Sequence, residues 1–131
     1  MTNHTDACHK CIKACKLCAD ACQKCSASCE SNSCEMTASK TCVHACHACI
    51  EACRDCIAKC EEHIKQCKKP SCIKACEECI KKCHECIKAC EECLTQCKDG
   101  GQQCADTCQK CIQTCDDCVI ACNTCLKDSC R

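Results

Sequence analysis

Thirty-one of the 131 residues are cysteine, and their spacing carries more chemical information than their number. One series is Cys8, Cys11, Cys15, Cys18, Cys22, Cys25 and Cys29. A second is Cys42, Cys46, Cys49, Cys53, Cys56, Cys60 and Cys67. The third is Cys72, Cys76, Cys79, Cys83, Cys86, Cys90, Cys93 and Cys97, and the fourth Cys104, Cys108, Cys111, Cys115, Cys118, Cys122 and Cys125. Steps of three and four alternate within each series. The one step of seven, Cys60 to Cys67, is filled in phase by His63. Residues three or four apart on a helix have Cβ atoms about 5–6 Å apart. A disulfide wants a Cβ separation of about 3.5–4.5 Å, so a regular helix resists bridging between such neighbours. Two sulfurs that each approach a shared metal to about 2.3 Å fit the spacing well. The chemistry on offer is repeated soft-metal ligation.

Charge narrows the choice of metal. Each thiolate carries one negative charge, and an uncompensated buried charge is very costly. Zinc in separate four-sulfur sites would occupy the 29 in-phase cysteines with about seven ions and leave roughly −15 in the interior. Iron–sulfur clusters share that excess and also need sulfide. A soft monovalent cation at about one per bridging thiolate leaves the interior nearly neutral, and Cu(I) is the available soft cation. Two- or three-coordinate Cu(I) implies roughly 19 to 31 ions per chain.

The ligands need long helices to hold them. Alternating steps of three and four form the a/d seam of a heptad, here sustained for about four heptads in each of four segments. The position after each d is usually large and apolar, as in Ile12, Ile50, Ile57, Ile80 and Leu94. The position before each a is often alanine, as in Ala7, Ala14, Ala45 and Ala89, and the rest is mostly Lys, Glu, Gln, Asp and Thr. Each segment therefore reads as an amphipathic helix with cysteine along the centre of its buried face. The isoleucines are expected between neighbouring helices, sealing the sulfur axis from water. Thr5 or Asp6 can cap the first helix and Ser39 the second. Lys69-Pro70-Ser71 breaks the chain before the third, and Asp99-Gly100-Gly101 ends that helix. The expected spans are 5–30, 40–68, 71–98 and 102–129, each roughly 40 Å long. Short connections make neighbours antiparallel. The expected fold is all-α, a single up-down-up-down four-helix bundle over residues 1–131 with a cysteine-lined core.

Composition excludes several other classes. There is no Phe, Trp or Tyr, and Leu, Ile and Val together number 14, so either sulfur fills the core or there is none. Eighteen basic and eighteen acidic residues are interspersed and cancel. That balance, without aromatic stacking platforms, argues against nucleic-acid binding. No apolar run is long enough to span a membrane. The opening MTNHTDACHKC lacks an apolar stretch, so no secretory signal is expected, and the thiols are expected to lie reduced in the cytoplasm. Two glycines and one proline are too few for a loop-rich disulfide scaffold. The Cys-x-x-Cys pairs recur in mid-helix without strands, unlike a thioredoxin-type centre, and no loops separate them as in zinc fingers. His63 has no orienting partner in the pattern, so no catalytic Cys–His arrangement is expected and the chain is not read as an enzyme.

The Cys-x-x-x-Cys and Cys-x-x-Cys steps on four amphipathic helices resemble the bacterial copper storage proteins, four-helix bundles that hold many Cu(I) ions on core cysteines. The closest local match is Cys60-Glu61-Glu62-His63-Ile64-Lys65-Gln66-Cys67, followed by Cys72, Cys76, Cys79 and Cys83. The resemblance implies that His63 is a ligand or gate near the mouth, with Cys67 and Cys72 around it. It also implies a homo-oligomer and the cytosolic branch of the family. This chain departs from the family in carrying cysteine at both ends. Cys8, Cys67, Cys72 and Cys125 are expected at one end, and Cys29, Cys42, Cys97 and Cys104 at the other.

The expected function is storage of multiple Cu(I) ions, supplied by a copper chaperone, with the seam cysteines and His63 as ligands. The alternatives are a zinc or other soft-metal buffer and a cysteine-packed structural or thiol-redox bundle. His63 also reads as a core histidine hydrogen-bonded to a neighbour. Cys34, Met36, Cys130 and His4 are candidate entrance residues near the helix ends. His9, His44, His47 and His84 read as solvated.

Overall fold

A helix whose apolar stripe is mostly cysteine has little to bury by itself, and here four such stripes are buried against one another. The computed structural model describes residues 4–30, 36–99 and 103–127, with side chains at 5–27, 41–96 and 106–127. The fold is an all-α four-helix bundle of α1 (His4–Glu30), α2 (Met36–Gln66), α3 (Pro70–Asp99) and α4 (Gln103–Lys127). Each helix touches two neighbours, α1 with α2 and α4, and α3 with α2 and α4. Sulfur contacts give the direction. Cys8 lies 3.8 Å from Cys56 and Cys22 lies 3.6 Å from Cys42, so α1 and α2 run antiparallel. The pairs Cys56–Cys79 and Cys42–Cys93 show the same for α2 and α3, both at 3.6 Å.

Helix ends follow local chemistry. Asp6 sits in the first turn of α1, where a carboxylate meets the positive end of the helix dipole. Pro70 opens α3 at the position where its fixed φ and missing N–H cost nothing. The connector 67–69 is bracketed by two backbone hydrogen bonds, Cys67 N–H to the His63 carbonyl at 2.9 Å and Ile73 N–H to the Lys69 carbonyl at 3.1 Å. Ser39 was expected to cap α2 but lies inside it, because α2 begins at Met36. The cap expected at Gly100-Gly101 lies outside the described residues.

The isoleucines expected between neighbouring helices pack against the core, but they do not line all four interfaces. The outer groove between α1 and α2 is lined by Ala14, Ala21, Ala45 and Ala48, with no isoleucine. Ala121 and Ala89 line grooves between α3 and α4. Ile64 and Ile80 instead share the groove between α2 and α3. The reason is the wheel. Positions e and g flank the seam on opposite sides, so antiparallel neighbours meet g to g or e to e. Alanine occupies g and therefore lines α1/α2 and α3/α4, whereas the bulky e residues meet at α2/α3 and α1/α4. In the last interface α1 contributes Ile12, then Ala19, then Ser26. Ser26 is buried, and its Oγ accepts a hydrogen bond from Gln109 Nε2 of α4 at 3.1 Å.

Candidate metal centre

The seam positions converge on the bundle axis in layers: a meets d between α1 and α2 and between α3 and α4, as in Cys8–Cys56 and Cys83–Cys118, whereas like positions meet between α2 and α3 and between α1 and α4, as in Cys56–Cys79 and Cys11–Cys118. Cys8, Cys56, Cys79 and Cys122 form one layer, with contacts of 3.8, 3.6 and 3.5 Å in chain order. Cys11, Cys53, Cys83 and Cys118 form the next, where Cys11 Sγ lies 3.6 Å from both Cys53 and Cys118 and 3.9 Å from Cys83 across the axis. Cys15, Cys49, Cys86 and Cys115 follow, with Cys86 Sγ 3.5 Å from Cys49, 3.6 Å from Cys115 and 4.0 Å from Cys15. Cys18, Cys46, Cys90 and Cys111 repeat the arrangement at 3.6–3.8 Å. Cys22, Cys42, Cys93 and Cys108 close the described series at 3.6–4.0 Å. Contacts along single helices join layers, as in Cys11–Cys15 at 3.9 Å and Cys49–Cys53 at 4.0 Å.

Twenty-five cysteines are reduced, buried thiols. Sulfur quartets such as Cys8, Cys56, Cys79 and Cys122, or Cys15, Cys49, Cys53 and Cys86, lie within 4.8 Å of one another. Two sulfurs on one metal at about 2.3 Å are separated by about 3.8 Å in tetrahedral geometry and about 4.0 Å in trigonal geometry. The observed contacts need only small shifts to reach either. These clusters can hold soft metal ions.

Hydrogen bonding redistributes acidity along the seam. The d-position thiols of Cys79 and Cys86 are held below the ordinary thiol value, first by the bonds from Cys122 and Cys115 respectively. The a-position thiols of Cys90 and Cys122 are held above it, first through their bonds to Cys111 and Cys11 and also by burial. What a sulfur gains by accepting, its donor loses, whereas burial pushes every thiol upward. Burial is the influence these thiols share, and it favours the protonated, neutral form.

At one end the ladder changes character. Cys76 and Cys125 meet at 3.4 Å in the buried core, and beyond them Nε2 of the half-buried His63 lies 3.1 Å from Sγ of the buried Cys72. The end residues Cys8, Cys60, Cys79 and Cys125 form one of the sulfur quartets there. Cys67, expected as a ligand, departs from the rest. It is disulfide-bonded, so in this state it offers no thiolate. Cys67 lies one residue beyond the end of α2 at Gln66, in the connector to α3. The side chains of Cys29, Cys97, Cys104, Cys34, Cys130, Met36 and His4 lie outside those described. His9, His44, His47 and His84 are exposed, away from the sulfur axis.

Two seam positions escape a count of cysteines alone. His4 stands four residues before Cys8, in phase at d, and the helix that carries this register begins at His4 itself. Ser39 stands three before Cys42, in phase at a, inside α2. Extending the heptad backwards from the first cysteine of each segment finds both.

Comparison with protein-family models, with curated proteins and with solved structures gives no match to this chain. No helix among the described residues is long and apolar enough to cross a membrane.

Proposed function

We propose that this protein stores Cu(I), holding many ions along the axis of the bundle on the thiolates of the seam. One observation carries the reading. Among the described residues Ser26 is the only buried polar or charged residue, so the thiol-lined core contains no lysine or arginine to balance thiolate charge. The cargo itself must supply the compensation. A divalent ion bound by four thiolates leaves two negative charges at every site. A monovalent soft ion shared among neighbouring sulfurs approaches neutrality at about one ion per thiolate. The contacts within and between layers provide that sharing. Loading exchanges protons for Cu(I), so the empty neutral bundle and the filled neutral bundle are both electrically tolerable.

In this reading the chain is a cytoplasmic store and not an enzyme, metal enters near His63 and Cys72, and a copper chaperone is the donor. A zinc buffer is the rival reading, favoured by the compact sulfur quartets. An anaerobic titration decides between them: the reduced protein competes with a chromophoric chelator for Cu(I) in excess Zn²⁺. Tight uptake of roughly 19 or more ions per chain is expected. Saturation at a few ions, or displacement by zinc, would overturn the copper assignment.

A further inference from the structure

Among the described residues only two large apolar side chains stand well exposed, Leu17 at 59% and Ile120 at 64%. Each lies beside one of the alanine-lined interfaces. Leu17 lines the α1/α2 groove, an open apolar channel of about 410 Å³ with an alanine floor. Its rim carries Lys10, Lys13 and His44, along with Lys24, which Asp20 already engages at 3.4 Å. Ile120 lies at the α3/α4 groove with acidic neighbours, Asp117 on its own helix and Glu78 on α3. Asp116, exposed one turn before it, adds to them. The one lysine there, Lys82, is engaged by Glu85 at 3.4 Å. One face therefore offers an apolar knob in an acidic surround, and the other an apolar groove with a basic rim.

We propose that copies of this chain associate heterologously, with Ile120 of one copy seated in the α1/α2 groove of the next and its acidic neighbours against Lys10 and Lys13. A second copy is the occupant because the chain itself carries the complementary shape and charge. Because α1 borders α2 and α4 while α3 borders α2 and α4, the α1/α2 and α3/α4 faces are opposite sides of the bundle. A contact between unlike faces leaves one knob and one groove unused, so assembly continues beyond a dimer. This inference does not depend on the metal carried.

Sedimentation velocity of the reduced, metal-free protein, from about 5 µM to about 500 µM, tests it over the range where weak interfaces populate. The wild type should rise with concentration past twice the single-chain mass of 14.3 kDa, less so at high salt. Leu17→Glu and Ile120→Glu should each remain at one chain with helical circular dichroism unchanged. Mixed in equal amounts, the two variants should form a dimer that stops at two, because one intact knob meets one intact groove. The proposal is overturned by a wild type that stays single, by either variant associating alone, or by a mixture that forms no dimer.

Discussion

His63 Nε2 lies 3.1 Å from Cys72 Sγ, where the sulfur ladder reaches the α2/α3 end of the bundle. The pair joins the last turn of α2 to the first turn of α3 across a three-residue connector, and it is the described contact in which the seam exchanges sulfur for nitrogen. A part-exposed imidazole can bind a metal and release it to the thiols behind without adding negative charge. His63→Ala should lower Cu(I) capacity by about one ion at most while slowing initial uptake roughly tenfold. Stopped-flow transfer from a chromophoric Cu(I) complex separates rate from capacity. Equal loss of both would make His63 an ordinary member of the store.

Thiol protonation sets the pH dependence of the empty protein. Hydrogen bonds within the seam, together with burial, hold thiols such as Cys90 and Cys122 above the ordinary range, while an unfolded chain ionises its cysteines from about pH 8.5. That stabilisation is fully present below the unfolded value and is lost as pH rises toward the folded values. The urea midpoint of the reduced, metal-free protein should therefore fall between about pH 7 and pH 10. The loaded protein should respond in the opposite sense, because protons compete with Cu(I) and acidification promotes release. Loading at neutral pH should release close to one proton per thiol engaged, measurable by titration in weak buffer.

The two kinds of helix interface should respond oppositely to side-chain volume. Ile57 is buried at an e position, and Ile57→Ala should destabilise the metal-free bundle by about 2–4 kcal/mol. Ala21 is buried at the α1/α2 interface, where Ala21→Leu should cost about 1–3 kcal/mol by overpacking the alanine contact. Chemical denaturation of the reduced protein measures both. If Ala21→Leu were stabilising, the alanine interface would be loosely packed.

Removing one central sulfur tests whether the layers work as shared sites. Cys86 touches Cys49, Cys115 and Cys15. Cys86→Ala should cost the empty bundle about 1 kcal/mol, through one lost buried sulfur. It should also remove about one or two Cu(I) ions, since each sulfur is shared among neighbouring ions. Mass spectrometry of the loaded variant under native conditions gives the count. A loss of four or more ions would show that whole layers fill cooperatively.

The heptad cysteines determine four helices and the face each buries, because a 3.5-residue period can place 29 thiols on one side of a chain in no other regular conformation. The same spacing lines the interior with buried thiols in groups that could hold a metal ion. The helix register was legible further than cysteine alone suggests, reaching His4 and Ser39. Side-chain neighbours across helices were not legible, because the seam repeat is nearly identical in all four segments and many pairings satisfy it equally. Tertiary structure alone decided that Cys11 meets Cys53, Cys83 and Cys118, and that alanine lines the α1/α2 and α3/α4 grooves while the e positions meet at the other two interfaces. It also set Cys67 apart, as a disulfide-bonded residue in the connector after α2. Periodicity is a property of each helix by itself, whereas direction, rotation and helix ends are settled only when four helices share one axis.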